Sequence, residues 1–481
     1  MSLKRDTISG ITWVLVSSVS QRLLGILTTI FLARLLEPSD FGLFSLAFVL
    51  IDGFGLFKSL GVDAALIRQK EDVEEAADTA FCLTPLIGLS LSTLLFLVAP
   101  VGARLLGTPT LTPIVRALSA IFVFSCLTQV PTMLLHKEMN FWKKSSAEMV
   151  SNAAYSVTAV VLAFAGFGIW SLVYAYLLKT VLLMVLVWIF TTWRPRLRFR
   201  RDMAVHMLSY GKYIFGGSLL VFLKANLDNV IVGKILGMTT LGFYAIAYNI
   251  SNFPATYIVG RMFNVLFPAF SKLQDDEEAL CRAFLKSTKL IAMIAIPFGL
   301  ALVGFSPLFL KVVYGEKWLP AATVLRILAV GGMLKTLSAS EGPVFLAKGR
   351  SKTDFKINLL HAILFFALIV PLTRFFGLNG AGWVVLLSGG AYFFIGMWRV
   401  RTILPISWKE ILLSFRPALL GSFLMLSIFW LLAFGSSFLP HLAASVSLFG
   451  LALISGLSAI AYLFSIFLLD QDVRLEVRRI V

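Results

Sequence analysis

Apolar runs long enough to form a membrane span recur along the whole chain, separated by short breaks of Gly, Pro and charged residues. A hydrocarbon core about 30 Å thick takes roughly 20 helical residues to cross. Cutting the chain at its breaks predicts about fourteen such helices, over 11–33, 41–66, 79–99, 113–135, 147–165, 169–190, 212–236, 241–268, 287–310, 321–347, 357–376, 379–398, 413–435 and 442–469. Helices are the expected form, because in lipid every backbone N–H and C=O must be satisfied within its own segment. The expected fold is therefore all-α and polytopic, with no stretch left over for a separate soluble domain.

Composition sharpens this picture. Only 14% of the 481 residues are charged and 58% are hydrophobic, with a mean hydropathy of +0.89, which excludes an ordinary soluble enzyme. Lys4 and Arg5 precede the first apolar run and no small-residue cleavage site follows it, so that run is expected to be a retained span and not a signal peptide. Cys82, Cys126 and Cys281 are too few and too widely spaced to suggest a disulfide framework or a metal site. The net charge of +17 would suggest nucleic acid in a soluble chain, but here its distribution gives another cause. With the N-terminus inside, alternate loops and tails hold 28 Lys and Arg and the opposite loops only six, Arg34, Arg104, Lys234, Lys311, Lys317 and Arg374. The enrichment of cations in cytoplasmic loops places both termini in the cytoplasm.

The chain also matches itself. At an offset of 200 residues, Arg34-Leu35-Leu36 through Phe41-Gly42-Leu43-Phe44 and Ala47 falls on Lys234-Ile235-Leu236 through Leu241-Gly242-Phe243-Tyr244 and Ala247. At 210, Val115-Arg116-Ala117-Leu118 falls on Leu325-Arg326-Ile327-Leu328. The reading is a duplication into an N-lobe (1–190) and a C-lobe (212–400) of six spans each, joined by a basic linker (191–211) and followed by two further spans and a tail (401–481). Six spans between copies is an even number, so the lobes share one orientation and a pseudo-twofold axis along the membrane normal. The linker carries Arg194, Arg196, Arg198, Arg200 and Arg201 and reads foremost as a topology signal facing anionic headgroups.

Beyond the cations counted with loops, tails and span ends, eight fall inside predicted spans: Arg22, Lys58, Arg116, Lys179, Lys224, Arg261, Arg326 and Lys335. Each costs about 2.5 to 3.5 kcal/mol at a bilayer centre, so some are expected to line a wet interior. Arg116 and Arg326 begin their spans and read as snorkelling residues, with Lys179 open between the two readings. Arg22 shares a helical face with Ser18, Gly25 and Thr29. Lys224 and Asp228 stand i, i+4, where an ion pair can form, with Asn226 and Asn229 beside them. The eighth span sets Tyr244, Tyr248 and Asn252 on one face, then Pro254, expected to kink it, then Tyr257, Arg261 and Asn264. Asp52, Ser59 and Asp63 mark the second span, Glu148, Asn152 and Tyr155 the fifth, and Lys335, Ser338 and Glu341 the tenth. The candidate substrate site is thus cationic, with Arg22, Lys58, Lys224, Arg261 and Lys335; Asp63, Asp228 and Glu341 are its candidate ion-coupling or charge partners, and Asn226, Asn229, Tyr248 and Asn252 its neutral polar groups. Arg22, Lys224 and Arg261 are expected to meet one anion. The last two spans carry no charge between Ala418 and Leu469 and read as lipid-facing additions to the core. His136, His206, His361 and His441 are scattered at span ends and in loops, and no P-loop is visible, so transport without ATP or a bound cofactor is expected, with an H+ or Na+ gradient as a candidate drive.

Leu32-Ala33-Arg34-Leu35-Leu36-Glu37-Pro38-Ser39-Asp40-Phe41-Gly42-Leu43 and Gly61-Val62-Asp63-Ala64-Ala65-Leu66-Ile67 resemble the opening signature of polysaccharide-repeat (Wzx-type) flippases of the MOP exporter superfamily, closest to its exopolysaccharide and colanic-acid branch. Asp228-Asn229 with Ile231-Val232-Gly233, Leu241-Gly242-Phe243-Tyr244, and Val265-Leu266-Phe267-Pro268-Ala269-Phe270-Ser271 with Leu273-Gln274-Asp275-Asp276 continue the likeness, which covers most of residues 1–400. The resemblance implies a MATE-like, two-lobed bundle that turns undecaprenyl-diphosphate-linked oligosaccharides from the cytoplasmic to the periplasmic leaflet of the bacterial inner membrane by alternating access. Membrane lipids and other polysaccharide assembly proteins are its implied partners, and nucleic acid is not. The rival readings are a MATE-type cation-coupled drug or metabolite antiporter, a membrane-embedded glycosyltransferase or polymerase, and a lipid II flippase.

Overall fold

The computed structural model describes residues 3–59, 66, 72–138, 140–256, 260–434 and 448–469. Its helices, in chain order, are α1 (Leu3–Leu35), α2 (Pro38–Ser59), α3 (Val73–Leu105), α4 (Leu111–Ser119), α5 (Ile121–Lys137), α6 (Phe141–Phe164), α7 (Ile169–Phe190), α8 (Arg201–Leu236), α9 (Met238–Ser251), α10 (Gly260–Lys272), α11 (Glu277–Phe309), α12 (Ala322–Leu337), α13 (Glu341–Ala347), α14 (Ser351–Ile403), α15 (Trp408–Phe434) and α16 (Leu448–Leu469). Among the described residues, nine stretches are long and apolar enough to cross a membrane. The protein is a multi-pass helical membrane protein, consistent with the fourteen spans expected.

Local chemistry sets the helix ends. Asp276 caps α11 by accepting from the Ala279 N–H (2.9 Å), and Glu277 and Glu278 follow in the first turn, where acids suit the positive end of the helix dipole. Ser407 and Glu410 form a reciprocal capping box on α15: the Ser407 N–H donates to Glu410 Oε2 (2.7 Å) and the Glu410 N–H to Ser407 Oγ (3.2 Å). The 53-residue α14 is broken at Gly377, where φ is 59° and ψ −138°. That left-handed backbone is cheap only for glycine, and it separates the eleventh and twelfth predicted spans. In the predicted eighth span α9 stops at Ser251 and a turn at Asn252 follows, two residues before Pro254, which is itself helical.

The chain divides into two compact units, residues 1–242 and 243–481. In the first, α1 packs on α6, α6 on α7, α3 on α4 and α5, and α2 on α8. Leu32, Leu36 and Leu172 meet Ala159, Ala163 and Ala175 in one buried cluster, the small side chains allowing the helix backbones of a membrane bundle to approach. In the second unit α11 packs on α12 and α15, α12 on α14, and α15 on α16, around Phe270, Phe284, Phe345 and Met397. The last two helices keep one side for the protein: the Tyr462 hydroxyl donates to the Met293 carbonyl (2.6 Å), while Phe423, Trp430, Ile460 and Phe464 are exposed, as lipid-facing side chains are in a spanning helix.

The linker is non-helical over 191–200 and becomes helical at Arg201. It is tied to the start of α3, where buried Asp78 accepts from the Arg196 N–H (3.0 Å) and Thr79 Oγ1 from the Arg200 N–H (3.2 Å). The Arg200 guanidinium reaches Asp202 (2.7 Å) and Glu75 (3.1 Å), and its hydrogen bond holds the Asp202 carboxyl below the usual carboxylate range. Trp193 stacks on Trp188 and meets Phe81 edge-on. The result is a basic segment with Leu197 outward, 95% exposed.

Candidate functional site

In the first unit a polar line runs from α1 to α6. Gln21 Nε2 donates to Ser17 Oγ (2.7 Å), and Asn152 Nδ2 donates to Gln21 Oε1 (3.0 Å). Glu148 lies one turn before Asn152 and pairs with Lys144 (3.5 Å), whose Nζ also contacts His136 Nε2. Arg22, next to Gln21, is half-buried on α1, and Lys58 is half-buried in the last turn of α2.

Lys179 has the clearest placement of any cation in this unit. Its Nζ lies 5.2 Å from the Tyr176 ring centroid and 5.9 Å from that of Tyr155. Phe48 meets Tyr176 edge-on at 4.7 Å, which fixes the ring under the ammonium. Glu148 on α6 and Asp52 on α2 are within electrostatic reach of Lys179 and Tyr176 respectively. Each such cation–ring contact contributes about 0.5 to 2 kcal/mol, more as water is excluded. The structure thus decides the question the sequence left open, because Lys179 lies inward on rings and does not snorkel. The signal was the i, i+3 spacing of Tyr176 and Lys179. Arg116 is held at the surface as expected, its guanidinium on the Phe96 ring (4.7 Å) and its Nε donating to the Phe96 carbonyl (3.3 Å).

On α8, Lys224 is half-buried and Asp228 only 2% exposed. An Asp228 carboxylate oxygen accepts from the Asn229 N–H (2.8 Å), and Asn226 donates to the Phe222 carbonyl (3.2 Å). Asn229 is half-buried. Asp63 lies outside the described residues, as does the side chain of Arg261, whose backbone is in the first turn of α10.

The second unit brings three predicted residues together. Lys335 Nζ donates to Asn252 Oδ1 (3.0 Å) and stands 5.9 Å from the Tyr248 ring centroid, while Tyr248 packs on Tyr244 (5.7 Å). A glycine makes this possible. A Cβ on Gly332 would strike the Ser251 carbonyl, so α12 approaches the end of α9 at backbone distance and Lys335, one turn on, reaches Asn252. Glu341, expected to mark the same span, parts from Lys335. A 3₁₀ turn at Ser338–Ser340 interrupts the helix, and Glu341 is fully buried while Lys335 is exposed.

The described residues thus form many apolar helices, with Lys179 on two tyrosine rings in the first unit and Lys335 on a tyrosine ring and an amide in the second. The chain itself belongs to the polysaccharide biosynthesis protein family, whose pattern matches residues 31–323. It is 30% identical over 372 residues to the lipopolysaccharide biosynthesis protein WzxC of Escherichia coli K12, covering 77% of this chain and 76% of WzxC. It is 27% identical over 476 residues to the teichuronic acid biosynthesis protein TuaB of Bacillus subtilis 168, covering 96% and 95%. In fold it is similar to the lipid II flippase MurJ in an inward closed conformation, with a TM-score of 0.76 at 16% identity over 96% of this chain and 99% of MurJ. An inward-facing MATE multidrug transporter shares the fold with a TM-score of 0.61 at 17% identity over 79% and 95%. The Wzx-type resemblance read in the sequence therefore holds.

Proposed function

We propose that this protein turns undecaprenyl-diphosphate-linked oligosaccharide repeat units from the cytoplasmic to the periplasmic leaflet of the bacterial inner membrane by alternating access. The family match over residues 31–323, with WzxC as a relative, carries this reading. The site chemistry supports it. A diphosphate leaving headgroup water needs fixed cations and hydrogen-bond donors to replace its hydration. In the first unit Lys179 supplies a cation held by rings, with Arg22, Lys58 and Lys224 as further contributors; in the second Lys335 does so, with Arg261. Asn226, Asn229, Tyr248 and Asn252 offer the neutral polar groups that a glycan requires. Both termini are cytoplasmic in this reading, the lobes are residues 1–190 and 212–400, and other polysaccharide assembly proteins hand over and receive the cargo.

The test is glycan export in a strain deleted for the gene, with membrane insertion checked by blot. Arg22→Glu and Arg261→Glu each abolish export and leave lipid-linked repeat units on the cytoplasmic side. Lysine at either place keeps partial activity, because it offers a point charge where arginine offers a planar fork. Full export by both well-inserted Glu variants would contradict a cationic substrate site.

A further inference from the structure

Glu341 has no part in the cationic clusters, and its surroundings are unusual for a carboxyl. It is 0% exposed, and neither carboxyl oxygen has a hydrogen-bond partner among the described residues. Its Oε2 lies against Gly396 in the second half of α14, where any Cβ would collide with it. Tyr392 lies one turn before Gly396, and the His361 ring from the first half of α14 meets Tyr392 at 5.6 Å. Asp354 Oδ1 comes within 3.6 Å of the place a Cβ on Gly342 would take. From α10 Phe263 reaches that same place (3.7 Å), and from α11 Thr288 hydrogen-bonds Ser340 (3.0 Å). The acidic and titratable groups facing Glu341 are thus Asp354, Tyr392 and, through Tyr392, His361.

An ionised carboxylate is among the most unfavourable groups to bury without a hydrogen bond, whereas a carboxylic acid loses far less. The Gly396 notch is filled by the carboxyl itself, so this packing accommodates the acid form. The carboxyl also directly follows the 3₁₀ turn that interrupts the span, and breaks of this kind within transporter helices are where ions are bound and gates bend.

We propose that Glu341 is a proton-binding site: the carboxyl holds a proton in the arrangement described here and gives it to water, leaving a carboxylate, when the Ser338–Ser340 turn opens, so that proton exchange accompanies the transport cycle. The coupling part rests on the flippase reading; the binding part does not. Asp354, which approaches from the adjoining helix, repels the second charge and sets which arrangement follows deprotonation.

Infrared spectra and melting curves of the purified full chain test the site without any cargo. The wild type shows the carbonyl stretch of a protonated carboxylic acid, a band that Glu341→Gln removes, and its melting midpoint falls as pH is raised, a dependence that Glu341→Gln flattens. Glu341→Asp keeps a titratable carboxyl and so keeps both the band and the pH dependence; if the Gln variant does not accumulate, this variant carries the test, and absence of the band in it overturns the proposal. Identical spectra and pH profiles for wild type and Glu341→Gln overturn it as well. In the deletion strain Glu341→Gln lowers glycan export at least tenfold and Glu341→Asp retains part. Wild-type export by Glu341→Gln overturns the coupling, whereas a wild type that exports no glycan but shows the Glu341 band sinks the flippase reading alone.

Discussion

Gly42 and Gly242, 200 residues apart in matching positions of the sequence repeat, pack back to back and exchange partners. A Cβ on Gly42 would strike the Met238 carbonyl, and one on Gly242 would strike the Pro38 carbonyl. Pro38 and Met238 are themselves repeat mates and begin α2 and α9. Such an exchange is what a local twofold axis between the two helix starts produces. Gly42→Ala and Gly242→Ala are each expected to destabilise the protein by about 1 to 3 kcal/mol, the usual cost of overpacking a tight contact. The thermal midpoint read by fluorescence-detected size exclusion checks this. The two variants should lose stability to a similar degree, and an unchanged midpoint for both would contradict the close crossing.

Lys335 and Asn252 form a charge-assisted hydrogen bond, a class worth about 1.5 to 3 kcal/mol when shielded and less at an exposed site. Lys335→Gln and Asn252→Ala should each lower export several-fold. In a double-mutant cycle the pair should lose less than the product of the single effects, because Asn252 serves chiefly to hold the ammonium. Strictly multiplicative losses would show that the two residues act independently.

Lys179 should behave as a positioned cation. Lys179→Gln is expected to reduce export by about tenfold, the equivalent of 1.4 kcal/mol, while Lys179→Arg, which also stacks on aromatic rings, retains most of it. Equal loss in both variants at normal expression would assign Lys179 to packing alone.

Much of this was legible before any coordinates. The fourteen expected spans and the kink expected at Pro254 follow from local rules of length and missing N–H groups; the Ser407–Glu410 capping box was not read from the sequence. Polar interruptions of apolar spans likewise pointed to Tyr248, Asn252 and Lys335. What they could not supply was long-range geometry. The approach that joins Lys335 to Asn252 depends on Gly332 meeting the Ser251 carbonyl, a contact between helices 81 positions apart in sequence. Glu341 was grouped with Lys335 by proximity in sequence, but the 3₁₀ turn rotates it into the packing against Gly396. For Lys179, position in the span fits snorkelling and ring stacking equally well, and only the side-chain direction separates them.

The linker is held to α3 by Asp78. Asp78→Ala takes the acceptor from the Arg196 N–H, a part-buried hydrogen bond worth about 0.5 to 1.5 kcal/mol. Limited trypsinolysis of the purified protein should then cut faster at Arg196 and Arg198 than in the wild type. Unchanged cleavage rates would mean that other contacts, such as Trp193 on Trp188, suffice to fix the linker.

The central claim is tested most directly in vesicles. The purified protein is reconstituted into liposomes holding an undecaprenyl-diphosphate-linked oligosaccharide in both leaflets, and an impermeant glycosidase is added outside. With a flippase present, nearly all of the glycan is digested; without protein, about half is protected, since a charged headgroup does not cross the bilayer unaided. The account predicts full digestion by the wild type and half by Arg22→Glu. Half protection with well-folded wild-type protein would contradict it.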